Sequence, residues 1–272
     1  MPLGEALIRQ MNETSPSPGS LAFWWLGQLG YAIKLGEYTL YVDAYLTDRP
    51  DRQVPPVLRP EQVTNADFVF GTHDHEDHID RPAWRVIAKA SPKARFVVSR
   101  AHVRMLTDEL GIDPERVVGV GEGKTRVGKM WVAGVPAMHE FFDRDAQGNY
   151  PHMGYVVEDG RVRFYHAGDT CRYDGMAATL RALGALDVMF VPINGRDATR
   201  YRSGCIGNMT YQEAVDLVGE VRPALAVPGH YDMFAFNSED PARFADYLDA
   251  KYPGMRCWIG ERGERVIVGA RA

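Results

Sequence analysis

Cysteine is scarce in this 272-residue sequence: Cys171, Cys205 and Cys257 lie far apart, and no Cys-x-x-Cys pair occurs. That excludes a disulfide framework, a cysteine zinc knuckle and a thioredoxin-like redox motif. It fits reduced thiols, so a cytoplasmic location is expected. No apolar run reaches the roughly 18 residues that a membrane helix needs, and no basic segment leads into an apolar stretch at the start, so neither a membrane span nor a secretory signal is expected. Basic charge is not in excess: 31 Lys+Arg against 36 Asp+Glu give a net charge of −5. A broad nucleic-acid-binding face is thereby disfavoured, whereas a local basic pocket is not. A Gly-x-Ser-x-Gly elbow is missing too, which removes the usual serine-hydrolase reading.

What is present is an ordinary soluble composition, 45% hydrophobic and 25% charged, with a recurring strand-helix pattern. Residues 1–20 read as a short helix and a Ser/Pro loop. Apolar or alternating runs at 21–26, 31–35 and 38–42, split by Gly27, Gly30 and Gly36, read as successive hairpin strands. A short buried strand is expected at 67–70, a helix at 82–89, a strand at 95–99 and a second helix at 101–110. Strands follow near 117–120, 130–135, 154–157 and 162–165. The remainder alternates: helix 174–183, strand 187–191, helix 210–218, strand 224–227, helix 241–248 and strand 266–268. Thr210 with Glu213 three residues on has the form of a capping box. The pattern predicts two facing sheets with helices outside, a four-layer arrangement, built as one domain over 1–272 with 1–20 as an N-terminal extension.

Three of the eight histidines fall within six residues, in Thr72-His73-Asp74-His75-Glu76-Asp77-His78-Ile79-Asp80. This cluster follows directly on the expected strand 67–70, so its start is pinned at a sheet end, where functional groups gather in α/β proteins. An extended segment would point His73 and His75 the same way. Imidazoles and carboxylates together suit borderline divalent cations. Further donors recur just after strands: His139, Asp169 in Gly168-Asp169-Thr170, and His230 in Pro228-Gly229-His230-Tyr231. A lone histidine is more often a hydrogen-bonded loop residue; the joint pattern argues for convergence. His102, His152 and His166 are left over, and His166 is expected to be packed behind the site.

These residues resemble the metallo-β-lactamase superfamily in order and spacing along almost the whole chain, and within it the L-ascorbate-6-phosphate lactonase-like subfamily. The subfamily likeness rests on Phe23-Trp24-Trp25-Leu26-Gly27, the run 72–80, Tyr165-His166-Ala167-Gly168-Asp169, and the segment 194–236. The resemblance implies an α+β protein with a four-layer αβ/βα sandwich and two divalent metal ions (Zn or Mn, with Fe acceptable) between the sheets. His73, His75 and His139 would hold one ion. Asp77, His78 and His230 would hold the other, and Asp169 would bridge them. Asp43 matches an aspartate that supports the ligands from behind.

The chemistry expected of such a pair is hydrolysis by a metal-activated hydroxide, with Asp77 as the catalytic residue that orients the nucleophile. Arginine forks match anionic groups, and Arg144, Arg172, Arg196 and Arg200 recur near the expected rim. With Asn194 and Tyr231 they form the expected substrate-binding set, and 194–208 is expected to be a flexible anion-binding loop. Phe141, Phe142, Met233, Phe234 and Phe236 are expected to wall the cleft. The expected substrate is a small anionic lactone, a sugar-acid derivative with or without phosphate. A small-molecule phosphodiesterase is the alternative. No nucleic acid and no membrane are expected as partners, and a homo-oligomer is the expected assembly.

Overall fold

A computed structural model describes residues 1–270. The last two positions of the domain expected over 1–272 lie outside the described residues. The chain forms two sheets. The first contains β1 (Ser20–Gly27), β2 (Gly30–Leu35), β3 (Tyr38–Val42), β4 (Phe68–Phe70), β5 (Arg95–Ser99) and β6 (Val117–Val120). It gains a seventh strand, β13 (Arg265–Gly269), which returns to pair antiparallel with β1. The second contains β7 (Gly123–Val127), β8 (Met130–Pro136), β9 (Met153–Glu158), β10 (Arg163–His166), β11 (Val188–Pro192) and β12 (Leu225–Gly229). Its order is β12-β11-β10-β9-β8-β7.

Both faces of the first sheet are covered, and β1 shows why its sequence is apolar throughout. Side chains alternate between faces. Leu21, Phe23 and Trp25 point into the core between the sheets, where the Phe23 ring meets Phe190 of β11 edge-on at 5.3 Å. Ala22, Trp24 and Leu26 point outward into a second core with α1 (Glu5–Glu13) and α2 (Arg81–Ala90). There Leu7, Met11, Ala83, Trp84 and Ile87 complete the layer. Each fully buried side chain of this size contributes about 1.5–3 kcal/mol. The second sheet carries α3 (Met176–Ala182), α5 (Tyr211–Val221) and α6 (Pro241–Lys251), whose buried faces join the inter-sheet core. The sandwich of two mixed sheets between helices is the four-layer αβ/βα arrangement. No described helix is long and apolar enough to cross a membrane.

Local chemistry accounts for the agreements and the departures. Thr210 caps α5 through the Glu213 amide, and Glu213 reaches back to the Thr210 amide. The single helix expected over 101–110 is instead a 3-10 turn at Arg100–His102 followed by a π-turn at Met105–Glu109. Tertiary bonds break it: His102 Nε2 bonds to Pro151 O at 2.7 Å, and Ser99 Oγ donates to Tyr150 O. β7 escaped the sequence pattern because Gly-Lys-Thr-Arg-Val has no alternation, and its side chains are mostly exposed. The expected loop 194–208 contains α4 (Ala198–Arg202), capped by Asp197, whose carboxylate accepts from the Thr199 and Arg200 amides.

Asp80 terminates the histidine-rich motif and is its mechanical anchor. Its buried carboxylate accepts from Leu46 N (2.8 Å), Thr47 N (2.7 Å), Thr47 Oγ1 (2.5 Å) and Ala83 N (3.1 Å). It thus caps α2 and ties the loop after β3 to the motif. Removing it strands buried donors, each worth about 1–3 kcal/mol. Asp80→Ala should lower unfolding stability by roughly 2–4 kcal/mol, read as a shifted denaturant midpoint. An unchanged midpoint would show that other contacts hold the motif.

Candidate metal centre

The site forms where the two sheets open at their strand ends. The segment after β4 is not extended, contrary to the expectation for His73 and His75. His78 N and Ile79 N both donate to His75 O (3.0 and 2.8 Å), so the chain turns at once toward α2. The cap at Asp80 imposes that turn. His73 and His75 still meet, with Nε2 of one 2.8 Å from Nδ1 of the other.

Two donor clusters result. Ligand atoms of His73, His75, His139 and Asp169 lie within 4.8 Å of one another, and those of Asp77, His78 and His230 do the same. The Asp169 carboxylate also faces the second cluster. Its Oδ1 is 3.3 Å from His78 Nε2 and its Oδ2 is 3.2 Å from His230 Nε2. Asp77 Oδ2 is 3.6 Å from both of those imidazole nitrogens. All seven residues expected as ligands are therefore brought together.

The backbone is bent around these donors. Among the described residues, the non-glycine positions with left-handed φ are Gln28, Asp43, Glu140, His230, Asp232 and Arg222. All but Arg222 are at the site or next to a site residue, as stored strain at functional positions predicts. Gly168 is obligatory: its φ is +59°, and a Cβ there would come within 2.8 Å of Thr72.

Electrostatics match cation binding. Burial pushes the His73 imidazole well below its ordinary range, reinforced by His78. It pushes His139 down to about 4. Both are neutral at pH 7, with lone pairs free to donate. Burial opposes ionisation of Asp169, but His230 and His78 outweigh it and hold the carboxyl well below the usual range. Asp77 is lowered in the same way, through His78 and His230. Burial would depress His78, yet Asp169, Asp77 and Asp43 hold it well above the ordinary value.

The residues fit divalent ions on the evidence of their own unmet bonding. His139 Nδ1 is a buried polar atom without a hydrogen-bond partner, and the buried His78 Nε2 and Asp169 Oδ1 have nothing nearer than each other at 3.3 Å. Buried polar groups are normally satisfied. A mixed N/O donor set of this kind suits zinc, manganese or iron.

Supporting residues fix the ligands. Asp43 is fully buried and accepts from Thr72 N (2.9 Å) and Thr72 Oγ1 (2.7 Å), with His78 Nδ1 at 2.6 Å. His166 is packed behind the site, bonded to Leu29 O at 2.8 Å. Two contributors were not singled out from the sequence. Gln28, buried in the β1–β2 turn, donates from Nε2 to Asp77 Oδ2 at 2.9 Å. A polar side chain between Gly27 and Leu29 in an otherwise apolar hairpin was its available signal. His152 stands beside the first cluster, its ring 5.1 Å from His73 and 5.3 Å from His139.

The arginines expected to bind an anion are turned to the protein instead. Arg172 pairs with Asp216 and Glu220 on α5. Arg196 forks onto Glu213 (2.6 and 2.7 Å). Arg200 bonds to Asn194 O and Ser238 O (2.9 Å for the latter) and faces Asp197. Arg144 stacks 4.0 Å over the Tyr150 ring. Each guanidinium is thus engaged by partners within the protein, while those of Arg144 and Arg196 stay about half exposed. Asn194 is buried, bridging Asn237 and Asn208. Tyr231 is buried against Trp25 at 4.7 Å, and burial pushes its phenol up, so it stays protonated. Cys171 is likewise buried with a raised thiol, which makes it a poor nucleophile. Of the expected aromatic wall, Met233 and Phe234 are buried, while Phe141, Phe142 and Phe236 are exposed.

Comparison with known proteins converges on one family. Residues 38–231 match the beta-lactamase superfamily domain. A UPF0173 metal-dependent hydrolase of Pyrococcus abyssi is 30% identical over 230 residues, covering 84% of this chain and 92% of that protein. One from Archaeoglobus fulgidus is 29% identical over 252 residues, covering 88% and 96%. Among solved structures, the metallo hydrolase Igni18 of Ignicoccus hospitalis superposes with a TM-score of 0.73 at 23% identity, covering 91% of this chain and 98% of that one.

Proposed function

Since the chain belongs to the metallo-β-lactamase superfamily and, within it, to the UPF0173 metal-dependent hydrolases, we propose that this metal-dependent hydrolase opens small lactones. The observation that carries the reading is the Asp169 carboxylate facing both donor clusters, with Asp77 at their mouth. Bound there, divalent ions would supply Lewis acidity, acidifying water and polarising an acyl oxygen. His73, His75, His139 and Asp169 would hold one; Asp77, His78 and His230 would hold the other, with Asp169 shared.

The chain's own residues supply orientation and proton handling. Gln28 fixes Asp77 by holding Oδ2. The Asp77 side chain is 20% exposed, enough to meet a water or a ring oxygen. Asp77 accepts the proton of the attacking water and delivers it to the alkoxide that leaves as the ring opens. Asp43 fixes the His78 ring through Nδ1.

The reading favours a lactone without phosphate. A phosphate would want unengaged arginine forks, and those of Arg172 and Arg196 hold carboxylates. The same fact weakens the phosphodiesterase alternative. Proton release by Mn- and Zn-loaded protein tests the proposal, using plain and phosphorylated sugar lactones, a simple alkyl lactone and a generic phosphodiester, with Asp77→Ala as control. Lactone turnover that falls by about 10²-fold or more in the control is expected. Phosphodiester turnover without lactone turnover would overturn it.

A further inference from the structure

We propose that the recess framed by Tyr45, Phe234 and Phe236 is a subsite for an apolar arm of the substrate, an aryl or short alkyl group carried on the scissile acyl or alkoxy unit. This rests on the hydrolase reading above and adds a substrate class to it. Four observations carry it.

The first is continuity. The recess, about 160 Å³, is lined by Asp77 as well as by the aromatics. A group lying in it therefore touches the same carboxylate that faces the donor clusters. The second is size. This open recess has room for one ring or a few methylenes.

The third is the aromatic frame. Tyr45, Met233 and Phe234 form a small buried cluster separate from the two main cores. Tyr45 and Phe234 stand 6.3 Å apart, and Phe234 and Phe236 5.7 Å. Phe236 is 59% exposed although it abuts buried rings. An aromatic ring held at an open edge gains from a further apolar partner. Its position is fixed rather than incidental. Asn237 N donates to Phe234 O (3.1 Å), and Asn237 Oδ1 accepts from Asn194 (2.7 Å). Tyr45 is clamped from the other side, with Arg52 donating to its carbonyl (3.1 Å) and lying 5.1 Å over its ring.

The fourth is charge. Arg49, the cation on the recess wall, is matched by Asp51 at 3.0 Å and by Glu76. With Asp77 also present, the lining carries three carboxylates against one guanidinium, which disfavours an anionic arm. An uncharged apolar group fits what is left.

The test uses the full chain loaded with Zn or Mn. Calorimetry compares 4-phenylbutyrate with butyrate, which share the carboxylate and differ in the ring. Turnover is measured in parallel for γ-butyrolactone and its γ-phenyl derivative. Phenylbutyrate should bind roughly tenfold or more tighter than butyrate, from the area the ring removes from water. Phe236→Ala should erase that preference, whereas Phe236→Leu should retain part of it. Phe236 is exposed, so both variants should fold, which a thermal melt checks. Equal affinities, a preference that survives Phe236→Ala, or no measurable binding of either ligand would overturn the subsite. Lactone turnover alongside any of those results would leave the lactonase reading intact. A Phe236-dependent preference without turnover of either lactone would do the reverse: the subsite would stand and the lactonase reading would fall.

Discussion

Asp169→Ala should empty the metal centre and reduce turnover by about 10³-fold or more. Its carboxylate is the one group placed against both donor clusters, 3.3 Å from His78 Nε2 and 3.2 Å from His230 Nε2. It sits in the Gly168-Asp169-Thr170 segment just after β10, where Gly168 takes a left-handed φ of +59°. With it gone, two buried imidazoles lose their main anion, and Asp77 becomes the remaining carboxylate of the two clusters. Metal content by elemental analysis after dialysis, beside the turnover assay, checks the result. Full occupancy with a near-normal rate would remove Asp169 from its assigned place. Asp169→Asn keeps the volume and separates loss of charge from collapse of the turn.

Asp43→Asn should weaken metal affinity by about 10–100-fold, as loss of a residue supporting a ligand typically does. Asp43 belongs to neither donor cluster. It acts by accepting at His78 Nδ1 (2.6 Å), which keeps the proton on that nitrogen and frees Nε2 to face Asp169. Asparagine tolerates the left-handed φ of +47° found here, so the backbone survives. An amide, however, has one acceptor oxygen in place of two, and its NH2 would meet either the Thr72 backbone N–H at the Oδ1 position or the Thr72 hydroxyl and the imidazole N–H together at the Oδ2 position. An unmet buried donor costs about 1–3 kcal/mol, so the metal-free protein should also unfold at lower denaturant. Competition with a chelator measures the first effect and a denaturant melt the second. Unchanged metal affinity would mean that His78 is oriented by its packing alone.

The sandwich and four of its candidate donors were legible in the sequence for a shared reason. Both sheets are built largely from apolar runs too short for helices, and His73, His139, Asp169 and His230 each follow the end of such a run within three residues. A strand end is a fixed point, so a histidine two or three residues beyond it can be placed without knowing the loop. Side chains whose role depends on a distant partner were not legible. Gln28 matters because Asp77, 49 residues away, lies against it. Arg196 has the form of an anion clamp in the sequence, but Glu213 on α5 fills its fork. The 101–110 stretch has helical composition, but Pro151 and Tyr150 compete for His102 and Ser99. The turn at 73–78 is set by the cap at Asp80, which alternation cannot reveal.

The pairing of β13 with β1 sets the order in which this protein can be finished on the ribosome. Ser20 lies opposite Gly269 and Trp24 opposite Arg265. The outer edge of β1, apolar on both faces, thus stays unpaired until a strand some 240 residues downstream has been made. An unpaired apolar edge is a template for other chains, and contacts this distant in sequence form slowly. The nascent protein is therefore most exposed to aggregation in the interval before residues 265–269 emerge. A truncation that removes only that strand should leave every candidate ligand present in a chain that fails to stay soluble.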